Sequence, residues 1–143
     1  MIIDTGSDWL IVEGADCPKC NGNVYDPATS SYFEEVSYRK ETKEYGSFIH
    51  IEGKEVKDLV CLGKNQLCID PFKFFLLSDQ FGIPEDADGI LGLAQGESPF
   101  HNTDVPINYN VGALLIDDLR LLGHISQKSF STRFEGRDAS SYL

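Results

Sequence analysis

Basic residues are scarce in this chain: 12 Lys and Arg stand against 23 Asp and Glu, a formal charge of −11 over 143 residues. Nucleic acids and anionic membrane surfaces select for Lys and Arg, so neither is expected as a partner. An acidic surface keeps a protein soluble, and it is compatible with work at low pH, where protonation neutralises part of the charge. Long apolar runs are also lacking. None approaches the ~20 residues that span a bilayer, so no membrane segment is expected. Histidine is sparse, and His50, His101 and His124 are scattered without ligand-like spacing, so surface or loop roles are assigned to them and no metal or cofactor is expected. Repeats, low-complexity tracts and linkers are absent, which leaves one domain's worth of sequence, long enough for a core.

What is present is ordinary for a globular protein, with 41% hydrophobic and 24% charged residues. The four cysteines fall into two close pairs, Cys17/Cys20 and Cys61/Cys68. An even count at short spacing points to two local disulfides and an oxidising compartment. A four-cysteine zinc site is the competing reading, with Cys17-Pro18-Lys19-Cys20 as its first half; the wider second pair fits a zinc knuckle less well.

The patterning is mainly β. Met1 leads directly into Ile2-Ile3-Asp4, which reads like the middle of a strand, so the chain is expected to be a fragment. Trp9-Leu10-Ile11-Val12 forms an apolar stretch, and a loop rich in Gly, Cys, Pro and Asn follows from Glu13 to Asn23. The run from Tyr25 to Ser31 carries turn chemistry around Asp26-Pro27. Three strands are predicted next: one around Phe48, Ile49 and Ile51, a second from Val56 to Leu62, and a third from Leu67 to Leu77. Residues 63–66 form a hairpin loop between the last two, beside a Cys61–Cys68 bond. Gly89-Ile90-Leu91-Gly92-Leu93 reads as a short buried strand, and Phe72, Phe74 and Phe75 read as core. One late helix is predicted from Val111, Leu114, Leu115, Leu119 and Leu122 on a single face, with Gly123 as its stop and Asp117-Asp118 on its solvated side.

The informative tetrapeptide is Asp4-Thr5-Gly6-Ser7. A carboxylate that activates water needs a rigid, hydrogen-bonded seat at a strand end. Gly6 permits a tight turn whose backbone N–H approaches the acid, and Thr5 and Ser7 supply hydroxyls that lock the turn.

Asp4 to Val12 resembles the first active-site segment of the pepsin-like (A1) aspartic proteases, and further matches follow in order. Cys17 and Cys20 match the family's small disulfide loop, and Tyr25 to Phe33 its Phe-Asp-Pro-x-x-Ser-Ser-Thr-Phe segment. Tyr45-Gly46-Ser47 falls at its flap tyrosine, and Asp58-Leu59-Val60 at its Asp-Thr-Val. Asp88 to Ala94 matches its second hallmark. The resemblance implies a single lobe, the N-terminal one, of a pepsin-like double-psi β-barrel covering residues 1–143. It further implies an aspartic endopeptidase acting on peptide or protein substrates, in a secreted, vacuolar or lysosomal setting. Asp4 would supply one half of a carboxylate pair, with Thr5, Gly6 and Ser7 supporting it, Tyr45 and Gly46 in a mobile flap, and Asp88 as a structural partner. The other half would come from a C-terminal lobe of the same protein.

The chain departs from that pattern in three ways. Asp-Thr-Gly occurs once, so the chain alone is expected to be inactive. Tyr45-Gly46-Ser47-Phe48-Ile49-His50 replaces the family's Tyr-Gly-Thr-Gly-Ser. Ile11 stands where the family has a tryptophan, and an isoleucine cannot donate the hydrogen bond that an indole gives to the flap tyrosine. These departures motivate an alternative, a non-catalytic lobe that binds a peptide or a partner; a homodimer that supplies Asp4 twice is a third reading.

Overall fold

The structure, a computed structural model, describes residues 1–63, 67–94 and 113–132. It is mainly β, as predicted. Seven strands form one mixed sheet: β1 (Ile2–Asp4), β2 (Leu10–Glu13), β3 (Glu34–Glu35), β4 (Glu41–Tyr45), β5 (Ile49–Leu62), β6 (Leu67–Phe81) and β7 (Gly89–Gly92). Their order is β1-β7-β2-β6-β5-β3, with β4 paired to β5. Among the described residues this sheet is not closed.

The strand sequences explain both layers of the core. Side chains alternate across a strand, so an unbroken apolar run has a buried residue on each face. Leu10, Phe74, Leu76 and Leu91 pack into one cluster, completed by Phe72, Val56, Leu115 and Leu119. Their neighbours Ile11, Phe75, Leu77 and Ile90 turn the other way and pack with Trp9, Ile51 and Ile83. Phe72 and Phe75 are fully buried, which places them in the core as expected.

Two strand predictions need correction. The first and second predicted strands are one, β5, with register shifts at Glu52/Gly53 and Asp58/Val60. The polar stretch between them reads as a break but carries partners instead: Glu52 pairs with Lys40 at 2.9 Å, Lys54 with Glu35, and Glu55 with Lys73 at 3.6 Å. The third strand also runs on past Leu77 to Phe81. Residues 64–66 of the predicted hairpin loop lie outside the described residues, but Cys61 and Cys68 face each other across β5 and β6.

The helix α1 (Leu115–Leu121) is shorter than predicted. Leu114 is its N-cap, Val111 lies outside the described residues, and Leu122, at the C-cap, is exposed rather than packed. Leu115 and Leu119 are its buried residues, Ile116 packs beside them, and Gly123 follows as the expected stop. Asp117 and Asp118 lie in the first turn, where the helix dipole favours negative charge. No helix among the described residues is long and apolar enough to cross a membrane.

Candidate functional site

The site grows out of how β7 separates β1 from β2. β1 runs parallel to β7, with Asp4 opposite Gly92, and β2 returns antiparallel on the other side, with Leu10 opposite Leu91. The loop from Thr5 to Trp9 must therefore pass over the end of β7. Three backbone bonds clamp it there: Gly92 N–H to the Trp9 carbonyl (2.9 Å), Leu93 N–H to the Asp4 carbonyl (2.7 Å) and Ala94 N–H to the Ser7 carbonyl (2.9 Å). Gly92 is required at this crossing. A Cβ there would lie 2.5 Å from the Trp9 nitrogen and 2.6 Å from its carbonyl oxygen.

Within this clamp both oxygens of Asp4 are fixed. Gly6 N–H donates to Oδ1 at 2.8 Å, and Ser7 Oγ–H donates to Oδ2 at 2.6 Å. Thr5 is exposed. Asp4 and Gly6 line a cleft of about 410 Å³ together with Ile2, Tyr45, Gly46, Ile49 and Ile90. Its polar end is the carboxylate and the tyrosine; the rest is aliphatic.

Tyr45 ends β4, and the turn to β5 begins at Gly46, whose φ of +58° suits a residue without a Cβ. Burial pushes the Tyr45 phenol up to about 12; the negative charges of Asp8 and Asp4 add to this, and a hydrogen bond with Ser7 opposes it. Tyr45 is thus placed beside the Asp4 loop although Ile11 offers it no donor. Phe48, at the far end of the same turn, is 79% exposed.

The remaining predicted residues hold the frame. Cys17 bonds to Cys20, and Cys61 to Cys68, so the four thiolates that the zinc reading required are used in disulfides. Asp88 accepts from the Asn23 backbone N–H (2.7 Å) and side-chain amide (3.1 Å). The backbone bond, more than the side-chain one, lowers its pKa below the ordinary carboxylate value against an opposing effect of burial. His50 lies 3.2 Å from Glu44 across the hairpin, and His124 is 2.9 Å from the Cys68 carbonyl; His101 lies outside the described residues.

Sequence reasoning missed how Asp58 and Trp9 are used. The buried Asp58 carboxylate accepts from Ser30 Oγ (2.8 Å), Leu59 N–H (2.6 Å) and the Tyr25 hydroxyl. Burial, followed by this bond and the Asp58 charge, raises the Tyr25 phenol well above its ordinary pKa. Both residues lie in segments that resemble the family, but nothing in the sequence pairs one with the other. Trp9 reads as part of an apolar stretch, whereas its ring also receives the ammonium groups of Lys43 at 4.5 Å and Lys73 at 5.1 Å.

A comparison with family models matches residues 1–142 to the family described as eukaryotic aspartyl protease. Among curated proteins none matches the chain.

Proposed function

Because the chain belongs to the eukaryotic aspartyl protease family, we propose that it is the N-terminal lobe of an aspartic endopeptidase in which Asp4 is one half of the catalytic pair. The observation that carries this reading is the seat of Asp4. Its carboxylate, at the end of β1, is held on both oxygens by Gly6 N–H and Ser7 Oγ–H at the mouth of an aliphatic cleft beneath Tyr45.

In this reading Asp4 and a second aspartate share one proton, since two carboxylates a few ångströms apart cannot both ionise easily. The ionised member takes a proton from a water that attacks the scissile carbonyl, and the protonated member donates to the carbonyl oxygen as it gains charge. Gly6 and Ser7 keep the Asp4 oxygens from rotating away from that water. Tyr45 and Gly46 cover the peptide, and Ile2, Ile49 and Ile90 receive its apolar side chains. The second aspartate would come from a C-terminal lobe of the same protein, because Asp-Thr-Gly occurs once here. Two disulfides fit passage through an oxidising compartment, and a secreted, vacuolar or lysosomal enzyme is the matching location.

The test is Asp4→Asn in the full-length protein, assayed on peptide libraries at acid pH. Loss of a positioned acid–base group is expected to lower kcat/KM by roughly 10²–10⁴-fold or more, with the fold retained by circular dichroism. Undiminished cleavage by the Asn variant would overturn the assignment. Binding of peptides without cleavage by the unmutated full-length protein would favour a non-catalytic lobe, the reading to which the altered turn Ser47-Phe48-Ile49 points.

A further inference from the structure

Among the described strands β4 exchanges backbone hydrogen bonds with β5 alone, yet its side chains reach the loop that carries Asp4. Lys43 and Tyr45 are two residues apart on β4 and so share a face. Tyr45 meets Ser7. Lys43 Nζ lies 4.5 Å from the centre of the Trp9 ring and 4.9 Å from that of Phe75. Ser7 and Trp9 are also two residues apart, so the hairpin and the Asp4 loop are joined by two side-chain rungs, Tyr45–Ser7 and Lys43–Trp9.

The second rung is partly withdrawn from water. The Lys43 side chain is 16% exposed and Trp9 is 4% exposed. An ammonium group over an indole is attracted by the ring quadrupole, most strongly when water is excluded. Glu41 Oε2, 3.7 Å from Lys43 Nζ, supplies a countercharge without displacing the lysine from the ring. Trp9 is itself fixed, edge-on to Phe75 with centroids 6.0 Å apart and with its carbonyl held by Gly92 N–H. Lys43 therefore bears on a rigid surface.

We infer that Lys43 is a positioning residue of the flap: by holding to the Trp9 ring it keeps Tyr45 and the Gly46 turn over Asp4, a task for which Ile11 supplies no donor. This rests on the roles proposed above for Asp4 and Tyr45, but it can be tested without any cleavage. The chain contains one tryptophan, so indole fluorescence of the 143-residue chain reports on the surroundings of Trp9, where Lys43 lies nearer the ring than Lys73 does. Lys43→Met keeps the apolar stem and removes the charge. It is expected to shift the Trp9 emission and to speed amide hydrogen exchange across the hairpin, residues 41–53, by about tenfold. Lys43→Arg is expected to restore both, because a guanidinium also stacks on aromatic faces. Should Lys43→Met fail to fold, Lys43→Gln is read in the same way. Hairpin exchange that is unchanged without the charge overturns the inference whatever the emission does, and so does an Arg variant that behaves like Met. Neither readout depends on peptidase activity, so failure here is distinct from failure of the Asp4→Asn test.

Discussion

Asp58 shows what a carboxylate needs in order to be buried. It is 4% exposed and accepts three hydrogen bonds, from Tyr25, Ser30 and Leu59. Asp58→Ala removes the acceptor of all three and leaves a half-buried phenol and hydroxyl without that partner. The expected cost is about 3 kcal/mol, measured as a lower urea midpoint at unchanged slope; a loss below ~0.5 kcal/mol would mean that these donors find other partners. Tyr45 supplies a pH test of its own seat. Its phenol is raised from 10.0 to about 12, so the unfolded chain gives up this proton at lower pH than the folded one. The contribution of the neutral phenol is therefore complete below about pH 10 and is lost as pH rises toward 12. Tyr45→Phe is expected to flatten part of the decline in stability over that window. A decline of the same slope in the Phe variant would mean that Tyr45 is not seated in the folded chain. Tyr25, raised in the same direction, contributes to the slope that remains.

At the scale of elements, the crossing of the Asp4 loop over β7 is the step on which the site depends. Gly92→Ala puts a methyl group against the Trp9 backbone at 2.5 and 2.6 Å, and the Trp9 carbonyl is itself held there by the Gly92 N–H at 2.9 Å. The expected penalty is about 3 kcal/mol, with loss of binding at Asp4 ahead of global unfolding; an Ala variant of wild-type thermal stability would refute this account of the clamp. The two segments that meet here were legible in the sequence because each needs unusual residues, Asp-Thr-Gly-Ser in one and Gly-Ile-Leu-Gly in the other, but that one crosses the other was not. β7 and the Gly123 stop were legible for similar reasons, since glycine and apolar runs leave marks. β3 and β4 were not. Glu34-Glu35 and Glu41-Thr42-Lys43-Glu44-Tyr45 have no apolar alternation, and they are strands because β5 offers them a partner edge. The continuity of β5 was hidden in the same way: Glu52, Lys54 and Glu55 look like a loop until Lys40, Glu35 and Lys73 come from elsewhere in the chain to pair with them. Single residues announce a turn, but a polar strand is decided by a partner that local sequence does not show. Tyr45 and Gly46 were placed by resemblance, whereas the Lys43–Trp9 contact needs the fold.

At the scale of the whole molecule, Asp4 lies at the end of β1, and β1 stands last in the strand order, with β7 on one side and no other strand of the described residues on the other. The carboxylate is thus carried at a margin of the sheet, where a second body can present its own acid. A lone aspartate lacks a mate to share its proton, so the isolated 143-residue chain is expected to cleave no peptide at any pH from 3 to 7. If two copies can supply the pair, specific activity must instead rise with concentration, as dimer formation requires. The charge of −11 opposes such self-association near neutrality and is relieved as carboxylates are protonated; any self-paired activity should therefore appear first at low pH and high concentration. Sedimentation and peptide hydrolysis, followed together over a hundredfold range of concentration at pH 4, separate the cases. A monomer inactive throughout supports a mate supplied by another lobe. Activity that tracks the dimer fraction would make Asp4 sufficient when present twice, and activity proportional to monomer would overturn the paired-carboxylate reading itself.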